Sequence, residues 1–266
     1  EKEYEYRNKL QLPVGSREGE TVVGFFAERT HRIVPTDSCA LHPDWAEKLI
    51  DALKSFMEKC GLDGYDETTR EGQIRHIVVR ELRGKFIITL VTTERELKGI
   101  DYFLFRLDQI FPEYSLYLNF NDSYSNVIFG EEFTLVRGKG LYECAEGGIV
   151  YEAGPRTFVQ VNENVRNKLY ERALSHVDAQ SVVLDCYAGG GLLTAKFAKK
   201  CVRAYGIEIV PEASACAQSL KVRNGLEDKM INFCGRVEEL LADVLRREEN
   251  ATVVLDPPRA GVDRSV

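Results

Sequence analysis

No apolar run in the sequence approaches the ~18 to 20 residues of a membrane-spanning helix, so no membrane association is expected. The opening residues, Glu1-Lys2-Glu3-Tyr4, lack the basic and apolar regions of a signal peptide. Seven cysteines are present without the spacing of a disulfide framework. That pattern points to a reducing compartment, and the cytoplasm is the expected location. Positive charge is not in excess either: 35 Lys and Arg stand against 42 Asp and Glu, a formal net charge of −7. That balance argues against indiscriminate nucleic-acid binding through bulk charge but does not exclude a local basic surface. Low-complexity tracts and internal repeats are also missing.

What remains is the composition of an ordinary soluble globular protein, 44% hydrophobic and 29% charged. A length of 266 residues implies one large domain or two smaller ones.

The most informative stretch covers residues 182–208. A β-branched and aliphatic run ends at Asp185, Gly189-Gly190-Gly191 follow, and a helical segment spans 192–200. A second apolar run ends in Glu208. Strand, glycine-rich turn, helix, strand and acidic tip form the first half of a nucleotide-binding α/β unit. The dinucleotide fingerprint requires a third glycine where Thr194 stands, so that fingerprint fails. Asp185 before the glycines would repel a pyrophosphate and attract the cationic sulfonium and amino group of S-adenosylmethionine. Glu208 suits ribose hydroxyls in either ligand and does not discriminate. The expected ligand is S-adenosylmethionine.

Ahead of this stretch, alternation predicts strands at 4–14 and 22–27, with a polar turn between them, and a short apolar step at 33–34. Arg7, Lys9, Arg29 and Arg32 either face RNA phosphates or form a solvated face balanced by Glu3, Glu5 and Glu28. An amphipathic helix is expected at 44–60, strands at 74–82 and 86–93, and a helix at 97–111. Further strands are expected at 115–120, 127–130 and 133–136. Asn162 is placed to cap a helix running to about residue 176. Beyond Glu208 the pattern is helix 211–224, strand 230–234, helix 237–247 and strand 252–255. The last strand ends in Asp256-Pro257-Pro258, a rigid turn at the carboxyl edge of the sheet, where open α/β folds bind ligands. Methylases of base amino groups place an aromatic residue after such a turn; Arg259 stands here instead.

Several of these segments together resemble one family, the RNA uracil-5 methyltransferases of the RumA/RlmD, RlmCD and TrmA-like group. The segments are Tyr6-Arg7-Asn8-Lys9, Phe158-Val159-Gln160-Val161-Asn162, residues 185–191, Gly206-Ile207-Glu208 and residues 256–261. The resemblance covers nearly the whole chain. It implies a Rossmann-like class I methyltransferase domain over 158–266, truncated at its C-terminal end and preceded by an RNA-facing α+β central domain over 1–157. It also implies that Gln160, Tyr187, Gly189, Gly191, Glu208 and Asp256 hold S-adenosylmethionine. Leu192 and Arg236 depart from the pattern, and a guanidinium at 236 cannot accept a hydrogen bond from the adenine amino group.

In the family a cysteine thiolate attacks carbon 6 of the uracil and a glutamate later removes the carbon 5 proton, both from residues downstream of the Asp-Pro-Pro segment. The chain stops at Val266, before either residue, so no catalytic residue is assigned to it. Cys186, inside the glycine loop, is read as packing. Cys39 resembles the fourth ligand of a 4Fe-4S cluster in the RumA type, the other three of which would precede Glu1. That likeness tilts the expected substrate toward 23S rRNA, acted on by a monomer. The alternatives are a tRNA uracil-5 methyltransferase, a non-catalytic RNA-binding module, and a methyltransferase for a small molecule or protein. The module ahead of the glycine loop favours a macromolecular substrate.

Overall fold

The computed structural model describes every residue except Glu1, Glu249, Arg259, Ala260 and Ser265. Two compact units emerge, Glu1–Gly140 and Leu141–Val266.

The first unit contains β1 (Lys9–Arg17), β2 (Glu20–Phe26), β3 (Ile33–Pro35), α1 (Trp45–Cys60), β4 (Ile74–Leu82), β5 (Lys85–Thr92), α2 (Ile100–Asp108), β6 (Tyr114–Phe120) and β7 (Glu132–Arg137). The strands form one sheet in the order β3-β2-β1-β4-β5-β6-β7. Only β5 and β6 are parallel, and α2 makes the crossover between them. Alternation along the strands puts Leu10, Leu12, Ile77, Val79, Ile88 and Leu90 on one face, where they pack against Leu49, Leu53 and Phe56 of α1 and Phe103 of α2. Phe56 and Phe103 stack with their ring centres 5.0 Å apart.

Three elements differ from the sequence expectation. The first strand starts at Lys9 and continues to Arg17, because the tight turn is made by Glu18 and Gly19, both at positive φ. The second helix starts only at Ile100, after Gly99 in the left-handed region. Residues 127–130 form no strand: the Asn121 amide donates to the Val127 and Ile128 carbonyls, at 2.9 Å each, and Asn119 bonds both backbone groups of Gly130. Side-chain amides take the place of a neighbouring strand.

The second unit starts with a hairpin, β8 (Tyr142–Glu146) and β9 (Ile149–Ala153), turning at Gly147-Gly148. It continues with α3 (Glu163–Ser175), β10 (Val182–Cys186), α4 (Leu192–Lys200), β11 (Arg203–Glu208), α5 (Pro211–Arg223), β12 (Met230–Cys234), α6 (Val237–Arg247) and β13 (Thr252–Leu255). Four parallel strands lie in the order β12-β11-β10-β13. Sequence expectation put the domain border after residue 157, but the hairpin belongs with the second unit. The Asn224 side chain brackets both backbone groups of Val150, at 2.8 and 2.6 Å, which ties β9 to the end of α5.

The strand order reverses direction at β10, between β11 on one side and β13 on the other. Open α/β sheets bind ligands at the carboxyl end of such a strand. Among the described residues no helix is long and apolar enough to cross a membrane. Among the described residues the cysteines form no disulfide.

Candidate functional site

At the carboxyl end of β10 the backbone turns sharply. Tyr187 adopts a φ of 65°, a left-handed conformation that costs a non-glycine residue on the order of 1 kcal/mol or more. Gly189 and Gly191 continue the turn at φ 55° and 79°, and α4 begins at the next residue. Glu208, at the tip of β11, latches the loop: its Oε2 accepts from the Gly189 N–H and its Oε1 from the Val210 N–H, both at 2.8 Å.

Asp185 sits beneath this loop and is 2% exposed. Thr194, at the position that broke the dinucleotide pattern, donates its hydroxyl to Asp185 Oδ2 at 2.6 Å. Gly206 on the adjacent strand makes room for that bond, since a Cβ there would stand 3.1 Å from the Thr194 hydroxyl. Burial pushes the Asp185 pKa up to about 7, the charges of Asp256 and Glu208 push the same way, and the Thr194 bond opposes them. Asp185 is therefore a structural carboxyl under the loop, not the open anion that the sequence suggested. The carboxylates that line the cleft are Glu152 and Asp256.

The cleft is a cavity of about 90 Å³ bounded by the glycine loop, the 157–160 segment, α3 and Asp256. That volume is below the ~300 Å³ floor of typical small-molecule sites, so the closed part accommodates one end of a cofactor-sized ligand. Of the residues expected to hold S-adenosylmethionine, Gln160, Tyr187, Gly189 and Asp256 meet at this cleft. Gln160 Nε2 lies 3.5 Å from Asp256 Oδ2. Gly191 and Glu208 do not line the cavity and act on the loop itself. A Cβ on Gly191 would stand 2.8 Å from both Ala217 Cβ and Met230 Cε, so this glycine lets α4 approach α5 and β12. Leu192 is an apolar wall of the cleft. Arg236 lies at the start of α6, 3.6 Å from Glu238 and 3.9 Å from Glu239, a partly exposed pair within its own helix turn. Arg259 of the Pro-Pro turn lies outside the described residues.

Sequence reasoning missed Arg166 and Tyr170, which also line the cleft. Their i,i+4 spacing on α3 puts them on one helix face, the only signal available in the sequence. Burial raises the Tyr170 pKa to about 12, so it presents a neutral phenol. Arg166 is 3% exposed and pairs with Glu146 of β8, which also lies 3.6 Å from Lys196 of α4.

Cys39 is a partly exposed free thiol in the loop between β3 and α1. Among the described residues, no group of three or more His, Cys, Asp or Glu is arranged to hold a metal ion. The residues present thus do not make a cluster site by themselves. Cys186 is fully buried, and burial followed by the Asp185 charge pushes its thiol pKa up to about 12. It has no tendency to ionise near neutral pH.

A family model described as RNA cap guanine-N2 methyltransferase matches residues 180–265. The chain is similar to a protein of Clostridium tetani named an uncharacterized RNA methyltransferase, 34% identical over 272 residues. A protein of the same description from Oceanobacillus iheyensis is 32% identical over 265 residues. The alignments take in 100% and 97% of this chain but 59% and 58% of those proteins, so the chain spans about three fifths of its curated relatives. Among solved structures, the tRNA (uracil-54, C5)-methyltransferase of Pyrococcus abyssi in complex with S-adenosyl-L-homocysteine superposes with a TM-score of 0.75 at 24% identity. That match covers 99% of this chain and 62% of the other. The fold is the mixed α/β, Rossmann-like fold of S-adenosylmethionine-dependent methyltransferases.

Proposed function

We propose that this chain binds S-adenosylmethionine in the β10 cleft and forms part of an enzyme that methylates carbon 5 of a uridine in RNA, 23S rRNA first. The observation that carries this reading is the meeting of Gln160, Tyr187, Gly189 and Asp256 at the switch point of the parallel sheet. The names of the relatives and the order of the five sequence segments support it.

In this reading Asp256 and Gln160 receive the amino-acid end of the cofactor, Glu208 receives its ribose while holding the glycine loop, and Tyr187 borders the transfer site. The bound cofactor supplies an electrophilic methyl group on a sulfonium. Leu192 and Tyr170 exclude water from one side of the cleft. The thiolate that attacks carbon 6 and the base that removes the carbon 5 proton are assigned to residues outside this chain. A uracil within folded RNA is flipped out to meet them. Cys39 is assigned to a 4Fe-4S cluster whose other thiolates also come from outside the chain, on the likeness of its loop alone. The enzyme is taken to act as a cytoplasmic monomer.

Calorimetry with S-adenosylhomocysteine tests the cofactor site. Binding is expected, and Glu208→Ala weakens it by roughly 1 to 3 kcal/mol through loss of a charged acceptor. Binding of NAD with none of S-adenosylhomocysteine would sink the assignment. The reaction is tested with 23S rRNA and tRNA transcripts carrying 5-fluorouridine. A protein of the relatives' full length should be trapped covalently on its own substrate, because fluorine at carbon 5 leaves no proton to remove after methyl transfer. The present chain should form no adduct; an adduct on it would place the nucleophile among its own cysteines.

A further inference from the structure

A larger cavity, about 600 Å³, lies in the first unit, and a neighbouring one of about 310 Å³ shares Pro13, Phe26, His31, Glu67 and Arg75 with it. Together they form a single groove, and its origin can be traced to the strand pairing. Strand β1 pairs with β4 from Lys9 to Pro13, but with β2 only from Val14 onward. Pro13 has no N–H to donate, and past Val23 strand β2 turns to β3 instead. Gly24 permits this, since a Cβ there would stand 1.9 Å from the Val34 carbonyl oxygen. A bulge in β4 between Ile74 and His76 then brings the consecutive residues Arg75 and His76 to the same groove.

The polar groups at the bottom are incompletely satisfied. Arg75 is 3% exposed, donates through Nη1 to the Asn121 and Ser123 carbonyls at 3.0 and 2.7 Å, and lies over the Tyr65 ring. Its Nη2 is 3.5 Å from Glu67, yet its Nε has no partner. His76 is 8% exposed and its Nδ1 is likewise unpartnered. Burial and the Arg75 charge hold the His76 pKa down to about 4, so the ring is neutral at physiological pH. Above them Phe26, exposed on its outer side, meets His31 and His76 edge-on, with ring centres 5.6 and 6.2 Å apart. The exposed Arg17 and Arg32 also line the groove, as does Asp66, and no ion pair engages either arginine among the described residues.

We propose that this groove holds one unpaired RNA nucleotide, its base against Phe26, the base edge met by Arg75 and His76, and its phosphate directed to Arg17 and Arg32. This rests on the RNA reading above and adds a second point of contact, one borne by the first unit. A net charge of −7 repels RNA as a whole, so contact depends on unneutralised cations beside an aromatic face. An aromatic platform with adjacent guanidinium groups is how single strands are bound without duplex geometry.

Fluorescence anisotropy of labelled single-stranded oligoribonucleotides on the chain as it stands tests the site. Phe26→Ala should weaken binding about tenfold with little change in salt dependence, and Phe26→Leu, which keeps the volume, should also weaken it. The double variant Arg17→Ala/Arg32→Ala should flatten the slope of log affinity against log salt by about 1. Arg246→Ala, on the exposed side of α6, should bind like the parent. Unchanged affinity in all groove variants overturns the proposal, as does equal preference for duplex RNA. Absence of any RNA binding with S-adenosylhomocysteine bound normally overturns the groove alone. Retained, Phe26-dependent RNA binding without S-adenosylhomocysteine binding overturns the cofactor reading alone.

Discussion

Asp185→Asn removes the buried carboxyl beneath the glycine loop while keeping its shape and an acceptor for the Thr194 hydroxyl. An aspartate in an unfolded chain titrates near ~3.9. In the folded protein burial, reinforced by Asp256 and Glu208, keeps the proton on Asp185 up to about 7. Between these two pH values the folded state binds more protons than the unfolded state, so stability falls as pH rises. The slope approaches ~1.4 kcal/mol per pH unit, and the contribution is fully present below the unfolded value and gone above the folded one. Asparagine carries no such proton. The variant should therefore gain on the parent through this window, by up to ~4 kcal/mol on passing from pH 4 to pH 7.5. Titrating groups that do not interact with Asp185, His76 among them, cancel in the difference. Trp45, the single tryptophan, lies in the first unit and reports on the wrong part of the chain. Hydrogen exchange of the α4 amides, measured from pH 4 to pH 7.5 with intrinsic exchange rates corrected, reads the right one. Parallel stability curves for parent and variant would refute the reasoning, because Asp185 would then be ionised at no cost.

Two further substitutions separate the roles of neighbouring residues. Gly191→Ala should cost about 2 to 4 kcal/mol in thermal unfolding, from a left-handed φ of 79° and from crowding Ala217 and Met230, whereas Gly189→Ala, with open space at its Cβ, should cost only about 1 kcal/mol. Equal losses at the two positions would show that backbone strain alone is being measured. Glu146→Ala should destabilise the second unit by about 3 to 5 kcal/mol in urea, since it leaves Arg166 and Lys196 without their shared buried partner. The double variant Glu146→Ala/Arg166→Met should recover much of that loss, and additive costs would argue against the pairing.

Short-range patterns in the sequence were enough for the elements around the cleft. The expected helices at 192–200 and 237–247 and the strands at 230–234 and 252–255 match α4, α6, β12 and β13. Asn162 caps α3 as expected, its side chain accepting from the Val165 N–H at 3.0 Å. These features rest on periodicity, glycine punctuation and capping chemistry, all of which act between residues a few positions apart. The hairpin β8–β9 escaped because its inward Glu146 breaks the apolar alternation, and the cations that make its burial tolerable come from α3 and α4. The failed strand at 127–130 escaped for a related reason, its partners being the side chains of Asn119 and Asn121.

The glycines, Glu208 and Asp256 were identifiable from sequence as a group, but their division of labour was not. Which of them line the cleft and which hold the loop depends on how α4 seats against α5 and β12. Thr194 looked like a missing glycine until the fold put its hydroxyl on Asp185. The switch point at β10 and the gap beside Pro13 both come from which strands become neighbours. Pairing of that kind is decided by burial and hydrogen bonding between distant residues, and no local pattern in the chain encodes it.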